Sequence, residues 1–527
     1  DAFWISEGDE DVWISPYAIE WRKIYMERIR QIAQTGIDGV YIDIPYWMTH
    51  FEGWEDSWAS FDDYTVSTFK EKTGLNAKTD IKVGDYSDPN FIDWIDFRIE
   101  TLSDFMKEVD SNVKSVNPEC MTIAEIYPGI GEAVVRVGAD VYEMYEVVDV
   151  IAHEFSAGGY TSAARDPLDW FSYMIGMYSF RAFAGNKASW MLSYSWDKEK
   201  NIEPSEAMKN LAMTQLMAGT NVWDARGHVM SGSNDMETRK EIFKWIREYE
   251  KTFYLPRKPI NPIGIYFSPK TRNYFPKEFI TSYTGVMYLL LQSHLEFQIV
   301  TPRNLDDFQG EILILPDVKC LNNQEIDFLK SFVAKGNGLI LTGETGNYNK
   351  NREVQSENPI HMLLDISDKD KKIISDSPSK FIYYPKCPGK IYLNEAKMNF
   401  DAYAIKGKYE NTHFNKLIND FSKEITNIFN YKPIALIKAS PFVSTHIAEV
   451  DGKTHIFFAN FKGLRGKENT SQISEKNVEI VFPDNKSTKI YILPFLGEVE
   501  EINSKWNNGK IICTIPEINK GMVVWCE

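Results

Sequence analysis

The sequence predicts an α/β protein in three parts: a (β/α)8-type barrel present as its later units, a second and doubly wound α/β domain, and a small all-β sandwich. Three observations carry this reading. From Asp1 to about Phe253, short apolar runs alternate with amphipathic helices, the pattern of βα units in a parallel sheet. A proline-studded linker, Leu255-Pro256-Arg257-Lys258-Pro259-Ile260-Asn261-Pro262, closes that region, and a second βα series follows it. After Pro433 the helical period vanishes and short strands with turn signals take over. A chain of 527 residues is too long for one core, and the expected domains are 1–254, 262–430 and 433–527.

In the first region, Ile19, Tyr25, Ile29 and Ile32 recur at helical spacing within Ala18–Thr35. Similar patterns cover Asp62–Thr73, Phe91–Val116, Pro167–Phe183, Pro204–Ala218 and Glu237–Phe253. The strand candidates between them are Gly39–Ile44, Met121–Ile126, Val147–Phe155, Ala188–Ser195 and Thr220–Ala225. A closed barrel of this type needs eight strands, so three further βα units are expected ahead of Asp1. The stretch from Trp47 to Glu119 offers helices and loops but no further strand.

The second region reads as a sheet of flavodoxin type. Its expected strands are Ile263–Phe267, Phe297–Thr301, Ile312–Pro316, Gly338–Thr342 and Lys390–Leu393, and its expected helices Tyr283–His294, Gln324–Lys335 and His413–Phe429. Asp365–Ser379, rich in Lys, Asp and Ser, reads as a solvated loop. The sandwich is expected from Ser444–Glu449, Thr454–Phe461, Asn477–Phe482, Lys489–Ile492, Lys510–Ile515 and Gly521–Trp525, with turns at Asp451-Gly452 and Asn508-Gly509.

Composition narrows the function. A formal charge of −17 without a basic stripe argues against a nucleic-acid partner. No apolar run approaches membrane-spanning length. The five Cys (Cys120, Cys320, Cys387, Cys513, Cys526) are scattered and never form C-x-x-C, which argues against a disulfide framework or zinc knuckle and leaves the compartment open. Only eight His occur, with no two at ligand spacing, so no catalytic metal is expected. No phosphate-binding glycine loop occurs, and no cofactor is expected. Aromatic residues reach 14%, with 14 Trp, a composition that suits sugar-facing surfaces as well as a large core.

The chemistry concentrates at strand ends. In Thr35-Gly36-Ile37-Asp38-Gly39-Val40-Tyr41-Ile42-Asp43-Ile44-Pro45, Asp43 ends a buried strand, where an ionised carboxylate is costly without a task or a partner. It reads as a nucleophile or electrostatic stabiliser; capping a helix or pairing with an Arg is the structural alternative. Glu125 ends the apolar run Met121-Thr122-Ile123-Ala124-Glu125, a setting that raises a carboxyl pKa as a general acid requires; its alternative is a structural ion pair. Glu154, Asp197 and Asp224 hold the same relative place on the next three strands, and Tyr46, Trp47, Trp54, Trp58, Tyr127, Trp196 and Trp223 accompany them. A ring of acids at one barrel face suits acid/base chemistry on polyhydroxyl substrates. The bland alternative for the aromatics is a lid packed over the barrel. Gly343-Glu344-Thr345-Gly346, where related domains carry a nucleophile elbow, offers neither Ser nor Cys.

These motifs carry a resemblance. Asp38-Gly39-Val40-Tyr41-Ile42-Asp43 resembles the fourth-strand motif of α-amylase-like glycoside hydrolases, whose final Asp is the nucleophile. Ile123-Ala124-Glu125-Ile126-Tyr127 resembles their fifth-strand motif, whose Glu is the acid/base; the Asn-His-Asp signature of their third acid is absent around Asp197. The domain order is similar to that of thermostable β-galactosidases with a trimerisation domain. There a barrel precedes a glutamine-amidotransferase-like domain and a small β domain. Ile312-Leu313-Ile314-Leu315-Pro316 and Gly338-Leu339-Ile340-Leu341-Thr342-Gly343 match the middle domain's strands. Those enzymes place a Glu after the fourth strand and another after the seventh, where this chain has Asp43 and none.

The resulting expectation is a retaining glycoside hydrolase with Asp43 as nucleophile and Glu125 as acid/base. Glu154, Asp224, Asp197, Tyr46, Trp47, Tyr127, Trp196 and Trp223 are expected to bind substrate. The partner is a carbohydrate, and the resemblance implies a homo-oligomer. The rival reading is a catalytically inactive carbohydrate-binding or scaffold protein on a hydrolase fold; a barrel deacetylase or lyase is a third.

Overall fold

The computed structural model describes residues 2–4, 12–47, 58–155, 167–193, 204–224, 235–394, 412–465, 469–483 and 489–527. The chain divides into two compact units. One comprises Asp1–Phe155, Phe183–Trp190 and Pro269–Lys277, and the other Ser156–Ala182, Met191–Ser268 and Glu278–Glu527.

A small antiparallel pair, β1 (Ala2–Trp4) and β2 (Val12–Ile14), opens the first unit. A five-stranded sheet follows in the order β3 (Gly39–Ile42), β4 (Met121–Ile126), β5 (Val150–His153), β6 (Ser189–Ser193), β7 (Asn221–Asp224). The division between units falls within β6. The pairs β3–β4 and β4–β5 are parallel. The strands β3 and β5 are shorter than expected, and β4 has its expected bounds. Val147, expected to begin a strand, instead ends the helix Val141–Val147, which Asp140 caps through the Tyr142 amide at 3.0 Å.

Period-two alternation gives the sheet two faces. Val40, Ile42, Thr122, Ala124, Ile126, Ile151 and His153 lie on one and are buried. The helix Pro89–Val116 supplies much of the apolar core of this unit through Phe91, Trp94, Ile95, Leu102, Met106 and Val109. Tyr41, Glu125, Ala152 and Glu154 lie on the opposite face by register. His153 is fully buried beside the Tyr145 hydroxyl at 2.7 Å, and desolvation drives its pKa down to about 3.

In the second unit, six strands form a sheet: β8 (Ile263–Tyr266), β9 (Phe297–Val300), β10 (Ile312–Pro316), β11 (Gly338–Thr342), β12 (Ile373–Ser375) and β13 (Phe381–Tyr384). Their order is β12-β13-β11-β10-β8-β9, with only β12 antiparallel. Counted without β12, the parallel strands run in the order 2-1-3-4-5 of flavodoxin-type sheets. Two expectations need correction here. The fifth parallel strand is Phe381–Tyr384 rather than Lys390–Leu393, because residues 388–394 are helical. The aromatic run Phe381-Ile382-Tyr383-Tyr384 is the better buried strand, and Tyr392 turns inward from the helix to meet Gln292. The stretch expected as a solvated loop contains β12, which covers the sheet edge.

The turn after β11 is closed by charge. Asp317 accepts the Glu344 amide at 2.9 Å and pairs with Lys390 at 2.9 Å, while Lys319 pairs with Glu344 at 2.6 Å. Gly285, in the helix Pro276–Gln292, lies against Gly389: a Cβ on Gly285 would stand 2.3 Å from the Gly389 carbonyl carbon. Both neighbours are backbone and cannot swing aside. Gly285→Ala is therefore expected to destabilise this domain by about 1–3 kcal/mol, read as a lower midpoint in urea unfolding.

The sandwich comprises β14 (Leu436–Lys438), β15 (Val443–Val450), β16 (Lys453–Asn460), β17 (Glu475–Pro483), β18 (Ile490–Pro494), β19 (Glu500–Ile502), β20 (Ser504–Asn507), β21 (Lys510–Ile518) and β22 (Gly521–Cys526). Sheets β14-β17-β21-β20 and β15-β16-β22-β18-β19 enclose Val443, Ile456, Phe458, Ile480, Ile515 and Val524. Asp451-Gly452 and Asn508-Gly509 turn with positive φ at both positions, as tight hairpins require. The short strands β14, β19 and β20 had no sequence signal, because β14 and β19 are only three residues long and β20 is mostly exposed.

Candidate active site

The strands of the first unit bring three carboxylates and two tyrosines together. Register pairs Ile42 with Ala124, so Asp43 and Glu125 are the next residues on adjacent strands. Glu125 pairs with Ala152, which brings Glu154 to the same end of the sheet, and the Glu154 amide bonds the Ile126 carbonyl at 3.1 Å. The Tyr41 hydroxyl donates to Glu125 Oε2. Tyr127 is half-buried, with its ring edge-on to Tyr46 at 5.1 Å.

Electrostatics separates the acids. Burial is the main cause that pushes the Glu125 carboxyl up to about 8, and the charge of Glu154 and its hydrogen bond add to the shift. Two carboxyls in such contact cannot both ionise cheaply. Asp43 stands at the exposed end of β3, and desolvation raises its carboxyl above the ordinary range. The next residue, Ile44, has φ 51°. A β-branched residue in the left-handed region costs on the order of 1–3 kcal/mol, so the turn that presents Asp43 is held by its surroundings.

Those surroundings are specific. The Trp47 amide donates to Val137 at 2.9 Å, its indole to the Arg98 carbonyl at 2.9 Å, and the Trp13 indole to the Tyr46 carbonyl at 3.2 Å. Arg98 is wholly buried and spends its guanidinium on the carbonyls of Ala59, Val135 and Arg136, between the rings of Trp47 and Trp58. The loop after β4 is tied by Arg272, which pairs with Asp140 at 2.6 Å and reaches the Ile130 carbonyl at 3.4 Å; both charged side chains are fully buried.

Several expected substrate contacts are placed elsewhere. Trp47 is fully buried, with no ring face left for a sugar, because its indole anchors the loop to Arg98. Tyr46 is buried as well and serves the same loop. Asp224 forms a largely buried ion pair with Arg239, the structural alternative open to strand-end acids, because the helix Met236–Glu248 turns that guanidinium onto the end of β7. Trp223 is half-buried on β7 in the second unit. Asp197, Trp196 and Trp54 lie outside the described residues. Tyr41, Arg98 and Arg272 carried no expectation. The alternation of β3 points to Tyr41, two residues before Asp43, and the run Trp94-Ile95-Asp96-Phe97-Arg98-Ile99 sets Arg98 amid apolar helix positions.

No protein-family model matches the sequence, and no curated protein matches it. Solved structures do. A β-galactosidase from Bacillus circulans sp. alkalophilus aligns over 97% of this chain and 83% of its own, at TM-score 0.65 and 11% identity. A catalytic mutant of a GH42 β-galactosidase from G. stearothermophilus aligns over 97% and 82%, at TM-score 0.63 and 12% identity. An alpha-L-fucosidase isoenzyme from Paenibacillus thiaminolyticus aligns over 99% and 82%, at TM-score 0.66 and 11% identity. The fold is therefore that of multidomain TIM-barrel glycoside hydrolases, β-galactosidases among them.

Proposed function

We propose that the chain is a retaining glycoside hydrolase, with Asp43 as nucleophile and Glu125 as acid/base. The register of β3 and β4 supports this best. Adjacent strands lie about 4.8 Å apart, close to the roughly 5–5.5 Å between carboxyls of retaining enzymes. Two acids in unequal surroundings divide the work: one attacks as an anion while the other holds a proton. Glu125 is the group whose surroundings favour the proton. The charge of Glu154 helps to keep it there, and Glu154 and Tyr127 are the residues we assign to contact with the sugar. The likeness to β-galactosidases and a fucosidase adds carbohydrate as the substrate class.

A panel of aryl glycosides tests the reading. Hydrolysis of at least one is expected, with kcat/KM falling on the alkaline side as pH rises through about 8, where Glu125 loses its proton. Glu154→Gln removes the repelling charge, so that limb is expected to move to lower pH. No hydrolysis across the panel, with sugars still bound, would favour the inactive carbohydrate-binding protein.

We further infer a homo-oligomer. The doubly wound domain has no nucleophile at Gly343-Glu344-Thr345 and closes that turn with ion pairs, which leaves it an architectural role. Light scattering at micromolar concentration is expected to give a multiple of 60.8 kDa; a strict monomer refutes it. Among the described residues no helix is long and apolar enough to cross a membrane.

A further inference from the structure

Tyr41 and Asp43 occupy the same face of β3 as Glu125 and Glu154 do of β4 and β5. Tyr41 is 40% exposed, so core burial alone does not explain its place. Its hydroxyl ends on Glu125 Oε2. We propose that Tyr41 is the positioning residue of the acid/base: its phenol occupies Oε2 and thereby confines the transferable proton of Glu125 to Oε1.

The chemistry follows from the inventory of donors. A neutral carboxyl has one hydroxyl oxygen and one carbonyl oxygen, and a phenol that donates to the latter fixes which is which. A phenol, with an ordinary pKa of about 10, keeps its proton wherever a carboxyl would lose one, so Tyr41 remains the donor throughout. When Oε1 gives its proton to the departing glycosidic oxygen, a carboxylate oxygen of Asp43 bonds the anomeric carbon, the C–O bond to the leaving group breaks and its electron pair stays with the leaving group. The negative charge then left on Glu125 already has a hydrogen bond at Oε2. In the second half-reaction Oε1 takes a proton from a water whose oxygen bonds the anomeric carbon as the bond to Asp43 breaks, so both carboxyls return to their first state. Glu154 works in the opposite sense, since its charge disfavours the anion. Among the described residues, the ionisable side chains that register places on the face of Glu125 are Tyr41 and Asp43 from β3, Glu154 from β5 and Tyr127 from its own strand. The role rests on Glu125 being the acid; the Tyr41 contact does not.

The test separates the two. Protein labelled with 13C at glutamate carboxyls is titrated by NMR without substrate, and the Glu125 signal is identified by its loss in Glu125→Gln. Tyr41→Phe is expected to raise the Glu125 midpoint by about one pH unit, the size of one hydrogen bond to a charged group. Tyr41→Leu, a second variant without the donor, is expected to raise it too, and Glu154→Gln to lower it. In aryl glycoside hydrolysis the alkaline limb of kcat/KM is expected to follow each midpoint. A midpoint unmoved in both Tyr41 variants overturns the role of Tyr41 while leaving the glycosidase reading intact. Midpoints that shift in a protein that hydrolyses no glycoside overturn the glycosidase reading, and the catalytic role of Tyr41 with it.

Discussion

Asp43→Ala is expected to abolish turnover on every glycoside, whatever its leaving group, because no covalent glycosyl intermediate forms without the nucleophile. The loss should reach several orders of magnitude in kcat. Glu125→Ala should behave differently. An activated aryl leaving group departs without protonation, so its first step survives, whereas a poor leaving group needs the acid. The variant is therefore expected to keep measurable activity on dinitrophenyl glycosides and almost none on alkyl glycosides. Azide should restore part of the lost rate by attacking the intermediate in place of activated water. Near-wild-type rates in Asp43→Ala refute the assignment, as does an equal loss on all leaving groups in Glu125→Ala. Glu154 is then the residue to replace, since its carboxyl meets that of Glu125.

The second large effect concerns Arg272 and Asp140. Both are fully buried, and each is the other's charge partner at 2.6 Å. Removing either alone strands a charge away from water, at a cost of about 3–5 kcal/mol. Asp140→Ala also deprives the helix Val141–Val147 of its cap, and Arg272→Ala frees the Ile130 carbonyl beyond Glu125. Each single variant is expected to unfold the first unit at markedly lower urea, followed by Trp fluorescence. The double variant Asp140→Leu/Arg272→Met, which leaves no charge, is expected to recover most of that loss. A double variant as unstable as the singles would show that the hydrogen bonds, rather than the paired charges, hold this part of the unit.

Local pattern made much of this protein legible. The strands Ile312–Pro316 and Gly338–Thr342 lie where their apolar runs placed them, because a strand buried on both faces needs an unbroken apolar stretch that no loop would carry. The positions of Asp43, Glu125 and Glu154 were readable for the same reason: an acid that ends such a run is conspicuous. What those acids and their aromatic neighbours touch was not readable. Asp224 has the same local signature as Glu125, yet Arg239, fifteen residues on, claims it. Trp47 follows Asp43 as a sugar-binding ring would, yet its indole goes to Arg98, 51 residues away. The last strand of the doubly wound sheet likewise fell to Phe381–Tyr384 once residues 388–394 coiled against Gly285. The sequence by itself determined the parallel βα order, the all-β ending and which acids close the strands, since periodicity and burial cost act over a few residues. Tertiary structure alone decided which acid is neutralised by an arginine and which tyrosine meets Glu125, because hydrogen bonds and charge pairs depend on distances between residues that the chain order keeps apart.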